Sequence, residues 1–472
     1  MFINEVGEKE YDIAIVGAGP AGMSLALRIS EQSNAKILLV ESGVLESNPE
    51  INQLSEVDAT GDLPSSYYPV HAQRNFGGTS IIWNGYCTIL EERAFLNGEW
   101  PIPYTDIISF YKDAVEILGL PEEAYLEPSQ RFPTDVYNII YKPYYTGSPV
   151  RFGEKYRTYF SEHPNIDVLL NHTCTEVHSN NKAIETLSLQ TSTGNPDSSI
   201  NIRAKYYVLA CGGIGNARLM QLGNIAPQSP VGQYFMEHPH IYDEAVLELD
   251  KAVIDSIIGS GRVFHALQLS DEYCVQNNLL NFAVSFSTDD VEPRIFLGEK
   301  RDAYISDATI RSEMVPQAAN RISLSENVDP LQQAKGQIDF YFNYQALAKK
   351  SWDAFAKELL ASGIGRATSP PDVYQEISGG GHYVGSTRMG ASADSSVVDG
   401  DCKVHETDNL YVAGSSIFPA ASAANPTLSI VAFALRLADH LSERSISNCH
   451  CIGDRKVCFS LPKRKHCNPS AS

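Results

Sequence analysis

Long apolar runs are missing from this 472-residue chain. The longest candidate, Leu428 to Leu437, carries Arg436 and reaches about half the length a membrane-spanning helix needs, so no membrane span is expected. Basic residues are in short supply, 36 Lys and Arg against 57 Asp and Glu for a net charge of −21. That balance argues against nucleic acid or an anionic membrane as a partner and leaves small neutral or cationic molecules. The opening residues lack both a basic region and an apolar leader core, which predicts a cytoplasmic protein. No disulfide framework is visible either: the nine cysteines are odd in number, and Cys87, Cys174, Cys211, Cys274 and Cys402 stand alone, the pattern of a reducing compartment. Only the tail gathers them, as Cys449-His450-Cys451, Cys458 and Cys467 among basic residues. One intervening residue between Cys449 and Cys451 does not suit zinc, and the reading for 446–472 is a disordered basic tail. No His/Asp/Glu cluster has metal-ligand spacing, so no metal is expected. A Cys-x4-Cys redox pair and solenoid repeats are also absent.

What is present begins at once. Tyr11-Asp-Ile-Ala-Ile-Val-Gly17-Ala-Gly19-Pro-Ala21-Gly22 is a short buried strand running into a glycine turn. Gly17 makes the turn, Gly19 leaves room for a phosphate, and Gly22 lets the following helix lie against the strand, its amides facing a diphosphate. A second apolar strand, Lys36 to Glu41, ends roughly 20 residues later in a carboxylate suited to both ribose hydroxyls, followed by Ser42. A glycine turn without a ligand would not need strand, helix, strand and acid in that order. The element does not separate FAD from NAD, while Glu41 disfavours the 2′-phosphate of NADP.

A chain of this length predicts two domains. A second glycine turn, Gly77-Gly78-Thr79-Ser80-Ile-Ile82-Trp83-Asn84-Gly85, has the small and amide side chains that let a flat ring approach. Thr105 is expected to cap a helix with an apolar stripe of Ile107, Ile108, Tyr111, Ala114 and Leu118, ended by Gly119. Strands are predicted at 166–170, 175–178 and 206–211, and a helix over 216–222. Between 239 and 378, alternation at 245–249, 285–287, 321–325 and 337–344 predicts an antiparallel sheet flanked by helices such as 351–361. After Val404 the chain returns with a strand ending at Gly414 and a helix over 426–441. The fold class is thus α/β: a Rossmann-like nucleotide-binding domain (1–238 and 379–445, with 99–165 as a connecting or lid region) and an inserted α+β substrate domain (239–378).

Two late motifs carry the chemistry: Gly-Gly-Gly-His382-Tyr-Val-Gly385-Ser-Thr-Arg388-Met389-Gly390 and Ala-Ala-Asn425-Pro426-Thr427. Alone, His382 is a loop histidine and Asn425 a helix N-cap with proline in the first turn. Together with the two glycine turns, Trp100-Pro101-Ile-Pro-Tyr104, Val231-Gly232…His238-Pro239 and Asn320-Arg321-Ile-x-Leu324, they follow one order. In these signatures the chain resembles the glucose–methanol–choline (GMC) flavoprotein oxidoreductases, in the short branch similar to pyranose 2-oxidase, over 11–120, 166–240 and 318–444.

The resemblance implies FAD, with Gly17, Gly19, Ala21, Gly22, Glu41, Ser42, Gly78, Thr79, Asn84, Gly85, Val177, Gly414, Pro426 and Thr427 as its binding residues. It puts His382 at the family's catalytic histidine and Asn425 at its partner, and Asn84 beside flavin N5 and C4a. Ile82 stands where pyranose 2-oxidase has the histidine that bonds its flavin, so the FAD is expected to be non-covalent. The implied reaction is oxidation of a CH–OH group of a sugar, amino-sugar or other small polar alcohol. Hydride goes to N5 and the hydroxyl proton to His382, whose ordinary pKa of about 6.5 suits a base. Asn425 would orient the hydroxyl and stabilise developing alkoxide. Oxygen, a quinone or a carrier protein remain open as electron acceptor. A non-redox lyase of hydroxynitrile type and a catalytically silent flavoprotein are the alternatives. Arg388 is expected to tie its loop to acidic groups, Trp83 and Trp100 to pack, and His238 and His240 to be fixed loop histidines.

Overall fold

The computed structural model describes residues 1–447 except 8, 97–98, 127–128, 133–137, 148, 194–198, 259–262, 297 and 371–376. The tail from 448 onward, with its cysteines, lies outside the described residues.

Six parallel strands form the first sheet, in the order Phe2–Ile3, Ile166–Leu169, Ile37–Val40, Tyr11–Val16, Ala204–Leu209, Leu410–Val412. Ile13, Ile15, Ile37, Leu39, Val208 and Leu410 are fully buried, as continuous apolar runs require when a sheet is covered on both faces. The Pro20–Gln32 helix packs on the final helix, Thr427–Ser447. Arg28 and Asp439 join these helices at 2.8 Å, and Tyr111 of the Thr105–Leu118 helix meets Ser429 at 2.7 Å. The last residues of the described chain therefore close the same layer that the first ones open. Thr105 is the first residue of its helix and not its cap: the cap is Tyr104, without a side-chain hydrogen bond, whereas Gly119 does end the helix at φ +61°. The helix predicted to start near 216 begins at Gly212.

The second large sheet is antiparallel, with the main order Gly365–Thr368, Pro239–Asp250, Glu299–Ser312, Phe282–Phe286, Val263–Leu269, Ile139–Tyr141, Gln130–Arg131. Two stretches expected in it lie elsewhere. Arg321–Val328 and Ala334–Phe340 pair with each other, and the latter pairs in parallel with Val57–Gly61 in a separate three-stranded sheet. Alternation reports a half-buried face but not which sheet supplies the partner, and the partner here is 279 positions earlier in the chain.

Candidate active site

The cradle is shaped by backbone contact. Gly17 sits at φ +108°, and a Cβ on it would meet Ala210 O at 2.4 Å; a Cβ on Gly22 would meet Gly17 O at 1.9 Å. Gly19 is different, having only Gly78 Cα at 3.9 Å near its missing Cβ. It is the N-cap of a helix with no side-chain cap, so the first-turn amides beyond Pro20 are available to an anion. Glu41 is buried, and its carboxylate already accepts from Ala18 N at 2.8 Å, Gly43 N at 2.8 Å and Ser42 Oγ at 3.3 Å. Burial pushes its pKa up against these hydrogen bonds. A free lone pair remains on Oε2 alone, a place for one hydroxyl where the sequence suggested two.

The other expected cofactor residues fall around this turn in part. Gly78 starts a 3₁₀ turn whose backbone abuts Gly19, with a Cβ–Cα approach of 2.8 Å were it alanine. Thr79 accepts from Gln73 N at 3.2 Å. Gly85 is buried at φ +79°, while Asn84 and Ile82 are exposed. Gly414, at φ +109°, ends the last parallel strand next to Ala21. Val177 is buried on an edge strand, its carbonyl against Gly223. Pro426 O accepts from Ile430 N at 2.8 Å and Thr427 opens the final helix.

Three consecutive glycines precede His382 because other groups crowd their backbone. A Cβ on Gly379 would meet Tyr67 Oη at 2.1 Å, and one on Gly380 would meet His240 Cε1 at 2.6 Å and His382 Nδ1 at 2.7 Å. The loop is then laced to the strand ends: Ser415 Oγ donates to Tyr383 O (2.6 Å), Thr387 Oγ1 to Ser416 Oγ (2.7 Å), and Asn216 Nδ2 to both Ser416 Oγ (2.9 Å) and Ala413 O (3.1 Å). Arg388 pairs with Glu99 and lies 4.3 Å over the Tyr234 ring. Trp100 stacks between Phe95 and Phe433, and Trp83 donates to Val150 O at 2.9 Å.

His382 does not stand alone. Its Nδ1 lies 2.9 Å from Nδ1 of His238, and nitrogens of His238, His240 and His382 fall within 4.8 Å of one another. Residue spacing gave no hint of this group, because strand Pro239–Asp250 brings two of the rings to the loop of the third. Three imidazoles at such distances raise the question of a metal ion, but the surroundings oppose added positive charge. Arg311 pairs with His240 across the sheet and, after burial, lowers the pKa of all three rings together with their mutual effects. His382 is pushed down to about 3 by burial, then Arg311 and His71, so it is neutral at any working pH and less able to hold a proton than an ordinary imidazole. We read the group as a hydrogen-bonded array.

Beneath it sits a carboxylate the sequence did not single out. Glu237 is fully buried and accepts from His238 N and His382 N, both at 2.7 Å, and from Tyr67 Oη at 2.8 Å. Tyr67 in turn accepts from Gly381 N at 2.7 Å. Burial raises Glu237 from 4.5 to about 7 despite these bonds. In that window the folded state keeps a proton that the unfolded state has released, so stability falls as pH rises from about 4.5 to 7 and stays low above it. Glu237→Gln should remove this part of the slope, up to about 3 kcal/mol across the window. Urea midpoints of the two proteins measured through that range check it, and parallel curves refute it.

Asn425 is reached from His382 through a short series of contacts. Arg311, beside the histidines, lies 4.3 Å over Phe264; Phe264 packs on Tyr86 and Tyr144; Tyr86 O accepts from Asn425 Nδ2 at 2.9 Å. That bond fixes the amide orientation, since the alternative would oppose two oxygens. Asn425 Oδ1 is left buried without a partner, and the side chain caps no helix amide.

The chain is similar in sequence and in fold to known oxidases. Residues 316–434 match the family model described as GMC oxidoreductase. The chain is 27% identical over 264 residues to 6'''-hydroxyparomomycin C oxidase of Streptomyces lividus (51% of this chain, 46% of that one), and 47% identical over 58 residues to pyranose 2-oxidase of Tricholoma matsutake (12% and 10%). The chain thus spans less than half the length of these curated relatives. In fold, a formate oxidase of Aspergillus oryzae solved to follow FAD modification superposes with a TM-score of 0.60 at 16% identity, covering 94% of this chain and 100% of the other. Residues 316–434 thus match the GMC oxidoreductase family, and the fold of the whole chain is similar to that of the formate oxidase.

Proposed function

We propose that the protein is an FAD-dependent oxidoreductase that converts a CH–OH group of a small polar alcohol, a sugar or an amino-sugar to a carbonyl. The observation that carries it is a neutral imidazole, His382, held at Nδ1 by another histidine, so that Nε2 is the atom left for chemistry. FAD fits the residues present: Gly19 leaves space where phosphate would lie, the helix behind it is uncapped, and Glu41 keeps one acceptor for a ribose hydroxyl. Gly17, Ala21, Gly22, Ser42, Gly78, Thr79, Gly85, Val177, Gly414, Pro426 and Thr427 would surround it, with Asn84 facing the ring. No histidine replaces Ile82, so the attachment is non-covalent. When bound, FAD supplies the hydride acceptor.

The residues of the chain do the rest. His382 Nε2 takes the hydroxyl proton. The second N–H of Asn425 can donate to the reacting oxygen, and its Oδ1 can accept from a neighbouring hydroxyl of a polyol. This acceptor suits a vicinal diol better than a simple alcohol, in keeping with relatives named for pyranose and paromomycin derivatives. The electron acceptor is oxygen, a quinone or a carrier protein.

Anaerobic incubation of the flavin-loaded protein with hexoses, alditols, aminoglycosides and aromatic alcohols tests the reading. Bleaching of the flavin by a polyol is expected. Turnover of a hydroxynitrile without bleaching would favour a lyase instead.

A further inference from the structure

The histidine array reaches from the buried base to solvent. His382 Nδ1 touches His238 Nδ1 at 2.9 Å, His240 lies with a nitrogen within 4.8 Å of both, and His240 Nδ1 meets Tyr242 Oη at 2.8 Å. Tyr242 is 47% exposed, whereas His238 and His240 are 3% and 5% exposed. Two nitrogens in the middle, Nε2 of His238 and Nε2 of His240, are buried without a hydrogen-bond partner. Buried polar atoms are rarely left so, and a bridging water would give both a partner.

We infer that His238, His240 and Tyr242 form a proton relay that carries the substrate proton from His382 to solvent, an inference resting on the oxidoreductase reading above. One arrangement of tautomers satisfies the geometry. His382 Nδ1–H donates to His238 Nδ1; His238 Nε2–H donates through water to His240 Nε2; His240 Nδ1–H donates to Tyr242 Oη. Every ring then accepts on its inner side and donates on its outer side. Bound FAD would supply the acceptor for the hydride, two electrons with one proton, that leaves carbon, and oxygen gives up its proton to His382 Nε2. The Nδ1 proton of His382 moves to His238, the Nε2 proton of His238 to His240, and the Nδ1 proton of His240 to Tyr242 and water. One proton enters and one leaves; the tautomers turn over before the next cycle.

The electrostatics favour export over storage. The groups facing the array are Arg311 across the sheet, His71 and Tyr67 beside the glycine loop, and Glu237, which is occupied by backbone amides. Burial, the neighbouring rings and Arg311 hold each imidazole below its ordinary value, so each keeps a proton less tightly than an ordinary imidazole.

The test is anaerobic stopped flow of the flavin-loaded, full-length protein with a pH-indicator dye in weak buffer, using an alcohol that bleaches the flavin. Wild type should release one proton per flavin, in step with bleaching. His240→Leu should bleach the flavin but release the proton about tenfold later, and added imidazole should restore the coincidence. Tyr242→Phe, a surface change that leaves folding intact, should show a smaller lag. Histidine-selective ¹⁵N spectra of the substrate-free protein should find His382 protonated at Nδ1 and His238 at Nε2. Bleaching without proton release in wild type, or release in step with bleaching in both variants, overturns the relay alone. Failure of every alcohol to bleach the flavin overturns the oxidoreductase reading and the relay with it.

Discussion

Replacing His382 by alanine is expected to lower flavin reduction by alcohol at least ~100-fold while leaving a folded, flavin-loaded protein, because the loss is that of a general base. The side chain packs against His238 and His240 and not in the main apolar core, so stability should change little beside activity. The pH profile adds a second reading. An ordinary imidazole would inflect the rate near pH 6.5. This one, pushed down to about 3 by burial and then by Arg311 and His71, should be deprotonated throughout the working range and produce no such inflection. Stopped-flow reduction from pH 5 to 9 measures both. Wild-type rates in the variant would remove His382 from the mechanism.

The other large effect is expected at Gly22. A Cβ there would lie 1.9 Å from Gly17 O and 3.3 Å from the Ile15 side chain, and neither the turn nor the strand can give way without opening the sheet. Gly22→Ala should cost at least the ~1–3 kcal/mol of ordinary overpacking and abolish flavin binding. Gly19→Ala is the contrasting case. Its backbone, φ −80°, suits alanine, and nothing lies closer than Gly78 Cα at 3.9 Å, so the apoprotein should keep its melting temperature while losing flavin to the methyl that fills the phosphate space. Thermal melts with and without added FAD separate the two. Equal behaviour of both variants would refute the division of labour within the turn.

How much of this could be read from residues alone follows from what each signal reports. Uninterrupted apolar runs, at Ile13–Val16, Ile37–Val40 and Tyr207–Leu209, announce buried parallel strands because only a doubly covered sheet needs them. The alternating stretches at 321–325 and 337–344 revealed strands but not their sheet, since the partner Val57–Gly61 is specified by nothing local. Thr105 looked like a cap, yet the chain enters its helix one residue earlier, at Tyr104. In the site, His382 and Asn425 stood out by their motifs. Glu237 and the pairing of His238 with His382 did not, because they depend on a strand and a loop meeting across 144 positions of sequence. Arg311 is likewise invisible until the sheet register sets it opposite His240.

The sixth strand of the parallel sheet has a consequence for biogenesis. Leu410–Val412 takes its place beside Ala204–Leu209 only after the whole antiparallel sheet has been synthesised. Until then a nascent chain presents the naked edge of a hydrophobic layer, and the topology is of the slow-folding, aggregation-exposed kind. Translation must therefore run past Val412 before that edge can be covered, which makes the newborn protein a natural client for chaperones that shield unpaired strands.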